Sequence, residues 1–325
     1  EKHLEDTLLV MAYWSEEGEQ TIEGGTGYLI ERYDNDTLKT YFSYQDGLRN
    51  GEAKEYFQNG DPMMRGEYAN GVKSNTWKFW HPTGALKSEV NYQNDTLHGK
   101  YQQFFGDGTP KVEGEYDMGQ KAGVWSWWRS NEQLEMKGGF AKDKQDGEWK
   151  VWFESGGVNY TGHYSKGNKT GEWLHYYPEG AMWKRGNYAD NLKEGLWETW
   201  FENGNKLQEG NYTAGMEEGE WRSWYEDGSK KDVGEFMGGK LHGNWTGWSP
   251  DGQKIYEGSW QDDMKHGEWK YWYENGKLQL TGWYEEGVKT GIWRTYNEQG
   301  TLVSEGTYEE GRPHGQWTYY FDNSG

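Results

Sequence analysis

The sequence predicts an all-β chain, an elongated single-layer solenoid of about twelve 24-residue antiparallel β-hairpin repeats. Three observations predict it. Glycine abounds and proline is scarce, 49 against 6, and glycine supplies the positive φ that tight hairpin turns need. Only 33% of the 325 residues are hydrophobic, yet 22 Trp, 25 Tyr and 10 Phe are present. Each ring carries a large buried area, whereas a mean hydropathy of −1.21 and a net charge of −20 would otherwise place the chain among disordered sequences. Third, glycines and aromatics recur at one spacing.

The repeat begins at Gly27 and returns at Gly51, Gly99, Gly123, Gly147, Gly171, Gly195, Gly219, Gly243, Gly267, Gly291 and Gly315, with Asn75 the one departure from a 24-residue lattice. Residues 1–26 form a divergent N-terminal cap, with strands over Leu8 to Trp14 and Thr21 to Thr26. Residues 27–325 form the array, with twelve full repeats over 27–314 and a partial one over 315–325. The partial repeat has Ser324 where the turn glycine belongs, which leaves a strand edge to be continued or capped. At about 4.8 Å per strand the ribbon should run on the order of 115 Å.

Three aromatic ladders follow the lattice. Two residues after each lattice position stand Trp77, Tyr101, Trp125, Trp149, Trp173, Trp197, Trp221, Trp245, Trp269, Trp293 and Trp317, with Leu29 and Ala53 breaking the row at its start. Five residues after it the row runs through Tyr56, Trp80, Phe104, Trp128, Trp152, Tyr176, Trp200, Trp224, Trp248, Trp272, Tyr296 and Tyr320. Seventeen after it the row is again aromatic, from Tyr44 to Tyr308.

Two turns per repeat separate the ladders. One is Asn-Gly or Asp-Gly, as in Asn203-Gly204 and Asp251-Gly252, which signals a two-residue hairpin loop. The other is looser, with Gly, Asn or Asp twenty residues after the lattice position, as at Gly71, Asp95 and Gly215. A two-residue loop at Asn203-Gly204 pairs Trp197 with Gly210, so the indole would lie across its hairpin partner's bare backbone. Alternation then puts Tyr212 on the Trp197 face and Trp200 on the other.

The stretch Tyr256-Glu-Gly258-Ser-Trp260 through His266-Gly267-Glu-Trp269 resembles a MORN repeat, and Gly267-Glu-Trp269-Lys-Tyr-Trp272 with Asn275-Gly276 is similar to the bacterial MORN-2 variant, also known as YwqK-type antitoxin repeats. The resemblance covers about residues 27 to 325 and implies a hairpin solenoid. Members of that family are mostly scaffolds and interaction modules. The second Trp and the 24-residue period depart from the usual pattern, so groove contacts of other members do not carry over. Asp6-Thr7-Leu8, Asp36-Thr37-Leu38 and Asp95-Thr96-Leu97 resemble the O-glycosylation signal of Bacteroidota envelope proteins, which makes Thr7, Thr37 and Thr96 glycosylation candidates.

Several functions are disfavoured. Leu8 to Trp14, the longest apolar run, is too short for a membrane-spanning helix, so direct membrane insertion is not expected. With 54 acidic against 34 basic residues there is no footprint for nucleic acid. Cysteine is absent, and His98, His242, His266 and His314 share one repeat position, where consecutive repeats stand about 10 Å apart, too far for one ion, so no metal site and no cofactor is expected. Carboxylates are abundant but none is singled out, and no nucleophile elbow or phosphate loop occurs, so the chain is read as a non-enzyme.

A row of rings on an uncovered sheet face would be a binding surface, which makes Trp80, Trp128, Trp152, Trp200, Trp224, Trp248 and Trp272 the candidate contacts. The leading expectation is a scaffold or adaptor for another protein in a multi-protein complex of a bacterial cell envelope, accessory to an outer-membrane secretion or gliding apparatus. Glu1 in place of Met fits removal of an export leader and hence the periplasm or cell surface; a cytoplasmic location is the alternative. Two other functions compete, glycan binding on the Trp ladder and an antitoxin or immunity role against a basic toxin.

Overall fold

The computed structural model describes residues 2–4 and 7–321, with only the backbone of residues 2–4 and of Thr7. Asp6, Ser324 and Gly325 therefore lie outside the described residues, as does the Thr7 side chain. Among the described residues every regular element is a β-strand. The chain forms two compact units, residues 1–157 with 164–167, and residues 158–163 with 168–325. Within each, successive strands pair antiparallel and pack in the main against their neighbours in one sheet. In the first unit the strand Gln20–Glu23 pairs with Thr26–Arg32, so the sheet reaches into the N-terminal segment.

The second unit shows how one repeat is built. Leu192–Trp200 and Lys206–Thr213 form a hairpin, and Met216–Trp224 follows. The Asn203-Gly204 turn is not the two-residue loop expected. The Gly204 N–H donates to the Phe201 carbonyl at 3.0 Å and the Phe201 N–H to the Asn205 carbonyl at 2.8 Å, which leaves three residues in the loop. Asn203 Oδ1 accepts the Asn205 N–H at 2.9 Å, an Asx turn that Asp227 repeats toward Ser229 at 2.8 Å. Glu202 and Asn203 thus form a type I turn, and Gly204, at φ 86°, closes it in the left-handed region.

The extra loop residue would shift the register by one, but a bulge takes it up. Trp200 pairs with Lys206 and Thr199 with Gln208, leaving Leu207 between them, so Trp197 still pairs with Gly210. The expected pairing holds because two departures cancel. The second turn, expected to be looser, is the tight one: Thr213 pairs with Met216 around Ala214 and Gly215, at φ 49° and 85°, the two positive values of a type I′ turn.

The lattice glycines mark a second bulge. Between Asn211 opposite Glu218 and Glu209 opposite Arg222 the register shifts, and Gly219 sits in the shift at φ 69°. From Gly51 to Gly315 the lattice glycines have φ between 61° and 94°, and Asn75 stands at 58°. Asparagine tolerates this region better than most residues, which explains the lone departure from glycine.

The bulge also decides which glycine each indole covers. A Cβ at Gly210 would fall inside van der Waals contact with the Trp221 ring, and one at Gly186 with the Trp197 ring. Each indole therefore lies over the glycine of the preceding repeat, which corrects the expectation that it covers its own hairpin partner. Its Nε1–H reaches the next carbonyl along the same strand: Trp197 donates to Asn187 at 3.1 Å, Trp269 to Ser259 at 3.0 Å and Trp125 to Glu115 at 3.1 Å. Bulging leaves that carbonyl outside the ladder, and the indole N–H satisfies it. Trp77, Trp125, Trp173, Trp197, Trp269 and Trp293 are buried on this face. The ring seventeen residues after the lattice position packs edge-on beside them, Tyr188 against Trp197 at 5.1 Å and Tyr212 against Trp221 at 5.2 Å.

Candidate protein-binding face

The opposite face carries the row five residues after the lattice position. Trp80, Trp128, Trp152, Trp200, Trp224, Trp248 and Trp272 are all half-buried. Strand alternation puts Trp200 beside Glu198 and opposite in direction to Trp197, so these rings share the outer face with charged side chains.

Those charges form ordered pairs. Glu198, 7% exposed, accepts from Arg185 Nη2 at 2.5 Å and from Lys206 Nζ at 2.9 Å, and Lys206 also reaches Glu209 at 2.6 Å. Burial pushes the Glu198 carboxyl up, but the hydrogen bonds and charges of Lys206 and Arg185 outweigh it and hold the group below its usual range. The same cations lie near the rings, Arg185 at 5.6 Å from Trp200 and Lys206 at 5.9 Å from Trp200 and 5.7 Å from Trp224. Arg65 stands 5.8 Å from Trp80, Lys150 5.4 Å from Trp152, and Lys254 5.3 Å from Trp272. Between Trp224 and Trp248 lies an open depression of about 550 Å³ lined by Glu220, Arg222, Val233, Asn244 and Thr246. Two repeats earlier the corresponding space is crossed by the Arg185–Glu198 pair, and one repeat earlier by Glu209 and Arg222, whereas Val233 and Thr246 leave it open here.

The sequence reading missed the next residue along. The side chain six after the lattice position spans to the following repeat: the Tyr177, Tyr225 and Tyr273 hydroxyls donate to the carbonyls of Trp200, Trp248 and Tyr296 at 2.8 to 2.9 Å, and Arg129 Nη2 to that of Trp152 at 2.9 Å. Its signal was the aromatic run Phe57, Phe105, Phe153, Tyr177, Phe201, Tyr225 and Tyr273, legible beside the ladder. These bonds anchor the backbone of Trp152, Trp200, Trp248 and Tyr296 in the ladder.

The glycosylation candidates that are described sit at turns. Thr37 and Thr96 are half-buried, and their Cγ2 atoms lie 3.7 and 3.4 Å from where a Cβ on Gly60 and Gly119 would stand. Asp95 has a conformational role of its own, since its Oδ1 accepts the Lys73 N–H at 2.7 Å; Asp143 and Asn191 do the same for Lys121 and Lys169 at 2.8 Å. His98 and His314 face Asp117 and Glu309 at 3.4 and 3.1 Å. Among the described residues no group of three or more His, Asp or Glu side chains is placed to hold a metal ion.

No curated protein sequence matches the chain. Solved structures that align with it include the crystal structures of TcdB2-TccC3-Cdc42 (11% identity, TM-score 0.19) and TcdB2-TccC3 (10% identity, TM-score 0.16). In both, 95% of this chain is covered but only 18% of the other, so the chain spans less than a fifth of those proteins' length. The model of the MORN repeat variant matches nine segments, residues 49–70, 73–94, 97–118, 145–166, 169–190, 193–214, 241–262, 265–286 and 289–310. These segments make up more than half of the sequence and fall on the 24-residue lattice, and the chain belongs to the MORN-repeat family, in its variant form.

Proposed function

We propose that the chain is a non-catalytic adaptor that holds another protein against its outer aromatic row. MORN repeats in general serve interactions with proteins or membranes, which supports a scaffold. The observation that carries the choice of face is the contrast in what the two rows do. Inner indoles are consumed in joining repeats, whereas outer rings are half-buried and flanked by cations and carboxylates, with Trp152, Trp200 and Trp248 on anchored backbone. Rigid rings beside satisfied charges are the composition of an interface hot spot. The envelope setting, with export to the periplasm or cell surface and sugars on Thr7, Thr37 and Thr96, belongs to the same proposal.

The test is a gentle native pull-down from the source cells with mass spectrometry of the retained proteins and of those threonines. A stoichiometric envelope protein, lost with Trp224→Ala while the melting temperature holds, is the expected result. A small basic cytoplasmic protein with bare threonines would overturn the envelope adaptor in favour of an antitoxin. The depression between Trp224 and Trp248, with Asn244 and Thr246 beside the rings, favours glycan binding as the second reading. Quenching of Trp fluorescence by a polysaccharide, abolished by Trp224→Ala, would establish it.

A further inference from the structure

The inner face carries a row of cations that turn composition alone would dismiss as solvated lysines. Two residues before the lattice position stand Lys73, Lys121, Lys169, Lys193, Lys265 and Lys289. Each Nζ lies 4.2 to 4.8 Å from the centroid of the Trp four residues on, in the repeat that then begins. Each also lies 4.3 to 5.2 Å from the Tyr or Phe further along that repeat. The cleft between an indole and the ring packed edge-on beside it is thus an ammonium site, filled six times by the chain itself.

One rung is built the same way and carries the opposite charge. Trp221 and Phe236 lie 5.7 Å apart at 71°, against 6.0 Å and 80° for Trp197 and Tyr212 in the preceding repeat. The residue at the lysine position is Glu217. Among the described residues no Lys or Arg is placed over the Trp221 ring, and a cavity of about 380 Å³ lies there, lined by Tyr212, Glu217, Trp221, Asp232, Phe236 and Trp245. Lys231 and Arg222 also line it, but Lys231 sits by the Tyr225 ring, 5.7 Å away, and the Arg222 guanidinium is paired with Glu209 and Glu220. The Asp232 carboxylate accepts from the Tyr256 hydroxyl at 2.5 Å and the Ser223 hydroxyl at 3.1 Å, so it is held in place. Segment 217–238 also falls between the matches to the family's repeat.

We infer that the Trp221–Phe236 cleft, with Glu217 and Asp232 at its wall, is a binding site for a lysine side chain presented by another protein. The six filled rungs set the ligand chemistry: a primary ammonium on a four-carbon arm, over an indole and beside a second ring. At this rung the chain places no cation over the indole and supplies a carboxylate, which the Tyr212 hydroxyl and Lys193 of the preceding rung already face, so an outside ammonium gains the ring faces and shares that carboxylate. Its charged wall, Glu217 and Asp232, belongs to the face opposite the outer row, although Trp224 of that row also lines the cavity; the site stands whether or not that row binds a protein.

The probe is Nα-acetyl-lysine methylamide, titrated into the full chain while the tryptophan indole N–H resonances are followed by NMR. Nα-acetyl-norleucine methylamide, apolar and of the same length, is the control. One indole resonance should shift saturably with the lysine probe and stay still with the control. Glu217→Gln should weaken the binding at least tenfold. Glu217→Lys, which restores the residue of the six filled rungs, should abolish the shift with an unchanged or raised melting temperature. Absence of a saturable shift, or an equal affinity in both variants, would overturn the site. Should Glu217→Lys not fold, Glu217→Gln decides alone. Tighter binding of cadaverine, a free diamine, than of the lysine probe would overturn the protein-borne source.

Discussion

The two faces of the sheet use the same residue, tryptophan, for different ends. On the inner face Trp197 lies over Gly186, donates to the Asn187 carbonyl and is 4% exposed. On the outer face, three residues later, Trp200 meets the charged side chains of Arg185 and Lys206. The inner ring replaces a missing side chain on its neighbour, and removing it opens a void over bare backbone. The outer ring sits in a charged shell that already closes on itself, and removing it leaves the ion pairs standing. The difference teaches that abundance of one residue in a repeat does not fix its role; what lies beneath the ring does.

That contrast can be broken most severely through the inner rung. Trp197→Ala should cost about 3–5 kcal/mol, the usual loss for a buried large ring, seen as a lower midpoint in urea unfolding. Gly186→Ala reaches the same rung from below, since a Cβ there falls inside contact with the Trp197 ring. Its cost should lie at the upper end of the about 1–3 kcal/mol of overpacking. The lattice glycine Gly195, at φ 66°, has nothing within 4 Å of a Cβ. Gly195→Asn copies the solution already present at Asn75 and should cost less than about 1 kcal/mol, whereas Gly195→Val should cost clearly more.

On the outer face the largest stability change should come from Glu198→Ala. It strands Arg185 and Lys206, and because Arg185 is about half exposed the loss should fall between the about 0.5 kcal/mol of a surface pair and the about 3 kcal/mol of a buried one. Trp200→Ala should move stability less than Trp197→Ala does.

Acidification acts on both faces. His175, beside Tyr160 and Trp173 on the inner face, is pushed down to about 4 by burial and then by the charges of Lys184 and Lys169. Below its ordinary pKa of about 6.5 the unfolded chain binds a proton that the folded chain refuses, so stability falls from about pH 6.5 toward pH 4. Glu198, with its pKa lowered, adds a loss further down, as the pH passes through its ordinary range and then through its folded value. His175→Gln should flatten the upper part of that slope in unfolding experiments between pH 4 and 7 and leave the lower part intact.

Much of this architecture was legible in residue spacing. Hairpins, the 24-residue period and the split of Trp197 from Trp200 all follow from lattice glycines and alternation, because those depend on local geometry. The covered glycine was not legible, because it depends on a bulge at Gly219 and its equivalents that shifts one strand past its neighbour without changing the sequence pattern. The Asn203 loop misled for a related reason. Asn-Gly serves both a two-residue turn and a type I turn closed by a left-handed glycine, and the Asx bond to Asn205 selects the second. The lysine row escaped notice because lysine beside a turn reads as solvated surface until its ring partners are placed.

If inner tryptophans hold repeats together while outer ones are free to bind, one paired measurement separates the two roles. Trp197→Ala and Trp200→Ala would be made in the full chain, with the urea midpoint and the yield of co-purified partner recorded for each. Trp197→Ala should lose a large part of its midpoint, and Trp200→Ala should keep a near-native midpoint with partner capture reduced tenfold or more. Equal loss of stability in the two, or undiminished capture by folded Trp200→Ala, would contradict that division of roles.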